Sequence, residues 1–218
     1  MQRFFDIFFS GAAIILLSPI LLPIILLLRL TGEGEIFFQQ ARVGKNKESF
    51  KLLKFATMLK NSESMGAGTV TLKNDPRVLP IGKFLRKTKL NELPQLFNIF
   101  RGDMSIIGPR PLHEKQFSFY SSADQDLIAS NLPGLSGLGS ICFRDEEKIL
   151  HNSSNPDATY KEKITPRKAM LEKWYVGNRS MTLYFKLIFL TIIAVAMPKM
   201  DMIKFFKELD DNLKNNLK

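Results

Sequence analysis

The sequence predicts an α+β fold that is mostly helical, and three groups of segments support this prediction. An apolar run from Ala12 to Leu28, near the N-terminus, indicates a helix without a polar face. Residues 36–58 contain two short apolar runs around the polar turn GKNKES, a pattern typical of paired strands. The segments 81–101, 112–130 and 161–178 indicate further helices. A chain of 218 residues is long enough for one domain with an apolar core.

The net charge of +10 limits the classes of partner. A strongly basic protein binds anions, which include nucleic acid, phospholipid head groups and phosphorylated small molecules, and charge alone does not choose among them. Aromatic side chains are not interleaved with the main cationic cluster, so a nucleic-acid partner is not expected. The single cysteine, Cys142, excludes an intrachain disulfide and a metal site made of cysteines, and it suits a reducing compartment.

The apolar run Ala12 to Leu28 carries no charge, which favours membrane contact over burial in a soluble core. At about 1.5 Å per residue the run is roughly 25 Å long, slightly short for spanning a bilayer. Pro19 and Pro23 lie inside it, and each removes a backbone donor. The Ser18 hydroxyl can satisfy one of the carbonyls that these prolines leave free.

Two membrane topologies fit this N-terminal segment. A sharp bend at the prolines would place Arg3 and Arg29 at the same interface, whereas a straight span would place Arg3 and Asp6 on the far side. The residues alone leave both topologies open. Nearly all other basic residues follow Arg29, so the body of the protein is expected to be cytoplasmic. The sequence RLTGEGEIF offers no small-residue cleavage site, which argues against a signal peptide.

Two C-terminal segments are also rich in apolar residues. Residues 187–197 are apolar all round and too short to span a membrane, so they belong either to the core or to a membrane interface. The tail predicts a basic amphipathic helix, which either packs on the protein or lies on anionic lipid. Its apolar side chains recur every three or four residues and are Ile203, Phe206, Leu209, Leu213 and Leu217.

The segment 89–111, KLNELPQLFNIFRGDMSIIGPRP, predicts a helix over about 92–101. Asn91 is a good N-cap residue, and Pro94 falls in the first turn, where its missing N–H costs little. Gly102 suits the position just after the last turn. In the simplest interpretation Asn91 only caps this helix, and Glu92 is a solvated acid favoured by the helix dipole.

The charges around this helix favour a second interpretation. Two acids, Glu92 and Asp103, lie within a strongly cationic stretch, and prolines on both sides of Arg110 restrict the backbone that carries its guanidinium. Cations, one or two acids and a helix N-terminus are what a metal-bound diphosphate requires. The acids would hold a divalent ion, and the ion and the arginines would neutralise the phosphoryl oxygens. The upstream cations are Lys83, Arg86, Lys87 and Lys89.

The chain resembles the small monotopic phosphoglycosyl transferases, the bacterial sugar transferase family that starts lipid-linked glycan assembly. Four blocks carry the resemblance, and the 82–111 block is highly specific. They are SP at 18–19 in the proline-broken apolar segment, QARVG at 40–44 with KFATM at 54–58, GKFLRKTKLNELPQLFNIFRGDMSIIGPRP at 82–111, and PGLSGLGS at 133–140.

The resemblance implies a function and a location. Members transfer a sugar phosphate from a UDP-sugar to polyprenol (undecaprenyl) phosphate and release UMP, at the cytoplasmic face of the bacterial inner membrane and with Mg²⁺. Their N-terminal helix is re-entrant and broken at Ser-Pro, which here gives Ser18 and Pro19, with Pro23 beside them, as membrane residues. The implied organisation is a re-entrant helix at 1–30, a cytoplasmic catalytic domain at 31–180, and interfacial C-terminal helices at 181–218. The sugar, the polyprenol preference and the oligomeric state stay open.

The resemblance also implies roles for individual residues. Glu92, Asn91 and Asp103 occupy the catalytic positions, and Glu92 is the metal ligand. The phosphate- and nucleotide-binding residues are Arg110, Arg86, Lys87, Lys54 and Arg42.

Asn91 and Tyr184 are among the positions that depart from the family pattern. The family's Asp-Glu dyad has its nucleophilic Asp where this chain has Asn91, and Tyr184 stands where many members have an Asp. An amide is essentially non-nucleophilic and carries no charge.

Three hypotheses account for Asn91. The lipid phosphate, already an anion, attacks the metal-bound diphosphate directly, or Glu92 becomes the nucleophile. Alternatively the protein is a non-catalytic relative that binds nucleotide sugar or lipid phosphate. A third hypothesis is that Asn91 is an engineered or deamidation-prone form of an Asp.

Overall fold

The computed structural model describes residues 1–65, 75–143, 150, 153–197, 200–206 and 209. The chain divides into two compact units. The first unit comprises Met1–Asp6, Arg42–Phe50 and Gly102–Lys218, and the second unit comprises Ile7–Ala41 and Lys51–Arg101.

Helix α1 (Gln2–Leu30) contains the whole apolar run. It is long and apolar enough to cross a membrane, and it is the one such helix among the residues that the structure describes. Pro19 cannot donate to the carbonyl of Ile15 one turn earlier. The Ser18 hydroxyl donates a hydrogen bond of 2.7 Å to this carbonyl instead. The predicted local compensation at the Ser-Pro pair is therefore confirmed.

The predicted pair of strands is confirmed as β1 (Phe37–Val43) and β2 (Ser49–Phe55). They form a two-stranded sheet joined by a short 3₁₀ turn at Lys45–Lys47. Burial along β1 alternates residue by residue, as expected for a strand with one covered face.

Helices α2 (Pro80–Lys87) and α3 (Gln95–Arg101) complete the second unit, with a 3₁₀ turn at Leu90–Glu92 between them. The segment 81–101, predicted to be helical, is therefore divided, because Lys89 adopts a left-handed conformation with φ 60°, and the helix predicted over about 92–101 begins at Gln95. The apolar core of this unit consists of Leu21, Ile24, Leu28, Phe55 and Leu85, so part of α1 packs directly on β2 and α2.

The first unit contains two short strands that periodicity did not predict. Strands β3 (Ser105–Ile107) and β4 (Gly134–Ser136) pair in parallel, with Ser105 opposite Gly134. The segment 131–140 holds β4 and the start of α6 (Leu138–Cys142). Strands of three residues are too short to show an alternating pattern.

The remaining helices of the first unit surround these strands. The single helix predicted over 112–130 is two helices, α4 (Glu114–Phe117) and α5 (Ser122–Ala129). Ser121 begins α5 because its side chain accepts a hydrogen bond from the Asp124 N–H. Further along lie α7 (Pro156–Thr159), α8 (Thr165–Gly177) and α9 (Met181–Ala196), with a π-helical turn at Tyr160–Ile164 before α8.

One side of the 187–197 run packs in the core of the first unit. Leu187, Leu190 and Ala194 are buried in it, while Phe189, Ile192 and Val195 on the other side of α9 are exposed. The described tail residues Met202, Ile203, Phe206 and Leu209 are also buried in this core. Most of the predicted amphipathic tail helix lies outside the described residues.

Candidate active site

Asn91 and Glu92, which the resemblance places at the family's dyad, lie in the 3₁₀ turn Leu90–Glu92 of the second unit. The prediction that Asn91 caps a helix is wrong, because Asn91 lies inside this turn and α3 begins only at Gln95. Lys89, just before the turn, has a φ of 60°, which costs a residue with a side chain about 1 kcal/mol. Strain of this kind is often retained where function requires the geometry.

The Asn91 side chain is buried, with 9% of its surface exposed. Its Oδ1 atom has no hydrogen-bond partner within the described part of the chain. Leaving a buried acceptor unsatisfied costs about 1–3 kcal/mol, so this oxygen does nothing for the stability of the fold. An unpartnered oxygen next to a half-buried carboxylate, that of Glu92, is suited to binding a ligand.

Asn91 and Glu92 form a donor set that fits magnesium. A carboxylate and an amide oxygen are hard donors, and magnesium usually takes one or two carboxylates together with substrate phosphates and water. Across the residues described, no three His, Cys, Asp or Glu side chains group together as a larger metal cage. The unpartnered Oδ1 of Asn91 is the observation that favours this pair.

Helix α2 presents the cations Arg86 and Lys87 at its C-terminal end. The helix packs directly on the backbone after β2, since a Cβ added to Gly82 would lie 2.2 Å from the Thr57 carbonyl oxygen. The Leu79 N–H also donates to this carbonyl at 3.0 Å. This close approach explains why the block that carries Arg86 and Lys87 begins with glycine. Arg86 is half-buried and Lys87 is exposed.

Asn98 holds β2 in place, and no sequence pattern predicted this role. Its side chain lies on α3, is buried, and bonds to two backbone groups along one edge of β2. The Leu53 N–H donates to Asn98 Oδ1 at 2.9 Å, and Asn98 Nδ2 donates to the Lys51 carbonyl at 2.9 Å. The amide thereby holds the strand that carries the half-buried Lys54. In the sequence, the sign of this role was a polar residue on the otherwise apolar face of α3.

In the first unit, the turn Gly108–Pro111 that carries Arg110 follows β3. Its backbone is held by β4, since the Gly108 N–H donates to Ser136 at 2.9 Å and the Gly134 N–H donates to Pro109 at 2.8 Å. A Cβ added to Gly134 would lie 2.1 Å from the Gly108 nitrogen. The glycines of PGLSGLGS therefore allow two backbones to meet beneath the turn, which leaves the Arg110 side chain exposed.

Asp103 and Arg42, the other predicted residues of the first unit, are both half-buried. Asp103 lies in the turn before β3, and Arg42 lies near the end of β1. The next residue along β1, Val43, is attached to the segment after Arg110 by a hydrogen bond from its N–H to the Leu112 carbonyl at 2.9 Å. Arg110 borders a depression of about 250 Å³ whose walls are mostly apolar.

The predicted site residues fall into two sets, one in each unit. The second unit contains the larger set, which includes three residues of α1. Its members are Asn91, Glu92, Arg86, Lys87, Lys54, Ser18, Pro19 and Pro23. The first unit contains Asp103, Arg110 and Arg42.

Comparisons with known proteins agree with the blocks described above. The family model described as "Bacterial sugar transferase" matches residues 1–198. The "Exopolysaccharide production protein ExoY" of Rhizobium meliloti (strain 1021) is 34% identical over 212 residues, covering 91% of this chain and 86% of that protein.

Two longer relatives match over part of their length. The "UDP-glucose:undecaprenyl-phosphate glucose-1-phosphate transferase" of Klebsiella pneumoniae is 36% identical over 196 residues, 88% of this chain and 39% of that protein. The "UDP-N-acetylgalactosamine-undecaprenyl-phosphate N-acetylgalactosaminephosphotransferase" of Aeromonas hydrophila is 41% identical over 127 residues, 58% of this chain and 29% of that protein. With the family model covering nearly the whole chain, this protein belongs to the bacterial sugar transferase family.

Proposed function

We propose that this protein transfers a sugar-1-phosphate from a UDP-sugar to undecaprenyl phosphate, releasing UMP, as a first step of polysaccharide or glycoconjugate assembly. The names of the Klebsiella and Aeromonas relatives support this reaction class. Within the chain, the observation that carries the proposal is the unpartnered, buried Asn91 oxygen beside Glu92, in the block most specific to the family.

The chemistry that these residues support is a direct displacement. An oxygen of the lipid phosphate attacks the phosphorus that bears the sugar, and the bond from this phosphorus to the bridging oxygen breaks. UMP leaves with the electron pair, so the product is a lipid diphosphate sugar and no redox partner is required. The lipid phosphate is already an anion and needs no general base, so the site has only to position the reactants and neutralise charge.

Asn91 has a specific part in this scheme. Its amide is essentially non-nucleophilic, so it does not form the covalent intermediate that an aspartate would form. Its free Oδ1 can still serve as a neutral ligand beside the Glu92 carboxylate. Magnesium bound there would neutralise the negative charge of the diphosphate. Glu92 is thus kept as a metal ligand rather than used as a nucleophile.

Cationic side chains would neutralise the remaining negative charge of the phosphoryl oxygens. Arg86 and Lys87 at the end of α2 and Lys54 on β2 are proposed to bind phosphoryl oxygens near the Asn91 turn. In the first unit, Arg110, exposed on a backbone held by glycine contacts, is proposed to bind phosphate through its planar guanidinium. Arg42 and Asp103 are the other proposed residues of this unit.

We further propose that α1 enters and leaves the bilayer at the cytoplasmic face. The chain that follows α1 holds both of its ends. Near the start of α1, Asp6 accepts hydrogen bonds from Ser105 and Tyr184, and near its end Leu28 packs with Leu85. A straight span would separate the first residues from all later ones. Between the two ends, large apolar side chains are exposed, among them Phe8, Ile15, Leu16, Leu22 and Leu26.

The test is an enzyme assay on the full chain in nanodiscs containing undecaprenyl phosphate. UMP release is measured with magnesium and a panel of UDP-sugars, with and without the lipid acceptor. We expect UMP from at least one sugar only when the lipid is present, together with a lipid diphosphate sugar detected by mass spectrometry. No UMP from any sugar, with release restored in N91D, would show instead a non-catalytic relative that the amide has silenced.

A further inference from the structure

The amide side chain of Gln2, in the first turn of α1, lies against β3 within the first unit. Its Nε2 atom donates to the Ile107 carbonyl at 3.1 Å and to the Ser105 hydroxyl at 2.8 Å. Its Oε1 atom accepts from the Arg179 guanidinium at 3.3 Å. A guanidinium has donors only, so the amide oxygen faces Arg179 and the NH₂ group faces the strand. The start of α1 therefore makes directed contacts with β3, which a segment that only anchors the protein would not require.

The Ile107 carbonyl belongs to the peptide unit that joins β3 to the Gly108–Pro111 turn. This carbonyl also accepts from the Tyr175 hydroxyl on α8 at 3.2 Å. A carbonyl oxygen has two lone pairs, so the amide and the phenol use both of them. The N–H of the same peptide unit, on Gly108, donates to the Ser136 carbonyl at 2.9 Å. Three hydrogen bonds thus hold one peptide unit at the point where the turn begins.

The turn that follows this peptide unit exposes one side chain. Residues 107–112 are buried except for Arg110. Pro109 and Pro111 have a restricted φ, so Gly108 is the residue of this turn whose backbone can rotate most freely. The orientation of the peptide unit before Gly108 therefore sets the direction in which the turn leaves β3. The same orientation sets where the Arg110 guanidinium can reach.

We propose that Gln2 and Tyr175 are positioning residues for Arg110, because they hold the carbonyl of the peptide unit from which the arginine turn starts. Both residues act through the backbone, so neither has to touch a substrate. The first turn of α1 thereby supports the phosphate site and does more than begin the proposed membrane segment. This inference rests on the proposed function, in which the Arg110 guanidinium binds phosphate.

The test is a double-mutant cycle in the nanodisc assay, with KM measured for the UDP-sugar and for undecaprenyl phosphate. R110A first shows which of the two substrates the guanidinium binds, because the KM for that substrate should rise. Q2M replaces the amide by an apolar side chain of similar length, and Y175F deletes the hydroxyl. We expect each to raise the same KM about fivefold with less than a twofold change in kcat, as for the loss of one hydrogen bond. In the R110A background each should change this KM less than twofold, since the guanidinium that it positions is absent.

A matched control separates positioning from a general loss of structure. Gln125 is half-buried like Gln2, and its Nε2 donates to the Tyr120 carbonyl at 2.9 Å elsewhere in the first unit. Q125M therefore loses a hydrogen bond of the same kind and should leave both KM values unchanged. Amide hydrogen exchange at Gly108 is a second readout that does not depend on turnover. It should quicken in Q2M and in Y175F but not in Q125M.

Effects of Q2M and Y175F that add to that of R110A, or unchanged KM values in both variants, would overturn the positioning role. Unchanged exchange at Gly108 in both variants would overturn it as well. Unchanged KM values for both substrates in R110A would overturn the binding role of Arg110 and the positioning role with it. Absence of UMP from the unmodified protein would overturn the proposed function instead, and exchange at Gly108 would still test the contacts of Gln2 and Tyr175.

Discussion

The hydroxyl of Tyr184 donates a hydrogen bond of 2.8 Å to the carboxylate of Asp6, although the two residues lie near opposite ends of the chain. The same Asp6 oxygen accepts from the Ser105 hydroxyl and the Ile106 N–H, each at 3.0 Å. Asp6 is 1% exposed, so these donors replace the water that its charge would otherwise bind. An aspartate at position 184 would face Asp6 with a like charge, whereas the phenol donates to it.

Removing this hydrogen bond is expected to loosen the start of α1. Y184F keeps the ring and deletes the hydroxyl, so Asp6 loses one donor and keeps those from Ser105 and Ile106. We expect the free energy of unfolding to fall by about 1.5–3 kcal/mol, the usual cost for a buried hydrogen bond to a charged group. Denaturant unfolding in detergent measures the change. Equal stability of Y184F and the unmodified protein would show that the contact does not hold the segment.

The two buried asparagines of the second unit are expected to respond in opposite ways. N91A removes a buried oxygen that has no protein partner, so it should leave the protein at least as stable as the unmodified one. It should lower the rate of UMP release about 100-fold, because a ligand of the magnesium that would neutralise the diphosphate is lost. N98A removes two hydrogen bonds to β2 and should destabilise the protein by about 2–3 kcal/mol.

Parallel unfolding and activity measurements on N91A and N98A test this contrast. Destabilisation of N91A by as much as N98A would assign Asn91 a structural role and remove the argument for a free ligand oxygen.

Replacing the carboxylate at position 92 is expected to weaken metal use. E92Q keeps the shape of the side chain but removes the charge that favours a divalent cation. We expect the magnesium concentration for half-maximal UMP release to rise about tenfold and the maximal rate to fall about 100-fold. Magnesium titrations of the unmodified protein and E92Q measure both quantities. E114Q, at an exposed glutamate in the first turn of α4, is the control. An unchanged magnesium dependence in E92Q would place the metal elsewhere.

Glu172 is expected to make stability depend on pH. Burial raises the pKa of its carboxyl to about 7, from 4.5 for a free glutamate. Between these values the folded state binds more protons than the unfolded state, so stability falls as the pH rises through this window. One pH unit corresponds to about 1.4 kcal/mol, so the decrease is roughly 3 kcal/mol. The groups that act on Glu172 electrostatically are Lys168, Cys142, Tyr175 and the Arg110 N–H.

Urea unfolding of the unmodified protein and E172Q between pH 4.5 and 8 measures this effect. E172Q lacks the titrating group, so its stability should exceed that of the unmodified protein increasingly as the pH rises to 7, and the difference should then level off. Two curves that stay parallel across the range would contradict the burial argument.

The sequence predicted the elements that follow from a regular pattern. The strands within 36–58 follow from two short apolar runs on either side of the polar turn GKNKES, and Gly102 ends α3 with a φ of +106° as expected. The Ser18 contact followed from local backbone chemistry at Pro19. These features depend on neighbours in sequence, so they are visible without the fold.

The features that the sequence did not predict depend on residues that are distant in the chain. Glu172 lies in an ordinary-looking helix and becomes notable only because the fold buries it and brings Gly139 against its carboxylate. Asn91 was predicted to be a cap because asparagine often begins helices, but the left-handed Lys89 moves the start of α3 beyond it. The site residues themselves were named from the cationic and acidic cluster and the family resemblance, and their roles stay predictions.

The measurement that tests the central claim most directly is a single turnover with and without the lipid acceptor. Excess enzyme in nanodiscs lacking undecaprenyl phosphate is mixed with magnesium and the active UDP-sugar, and UMP is counted per enzyme before and after the lipid is added. N91D, which restores a carboxylate nucleophile, should release about one UMP per enzyme without lipid and serves as the positive control. Direct displacement predicts no UMP from the unmodified protein until the lipid is added. A stoichiometric burst of UMP from the unmodified protein without lipid would show that another side chain attacks the donor, and would contradict the account.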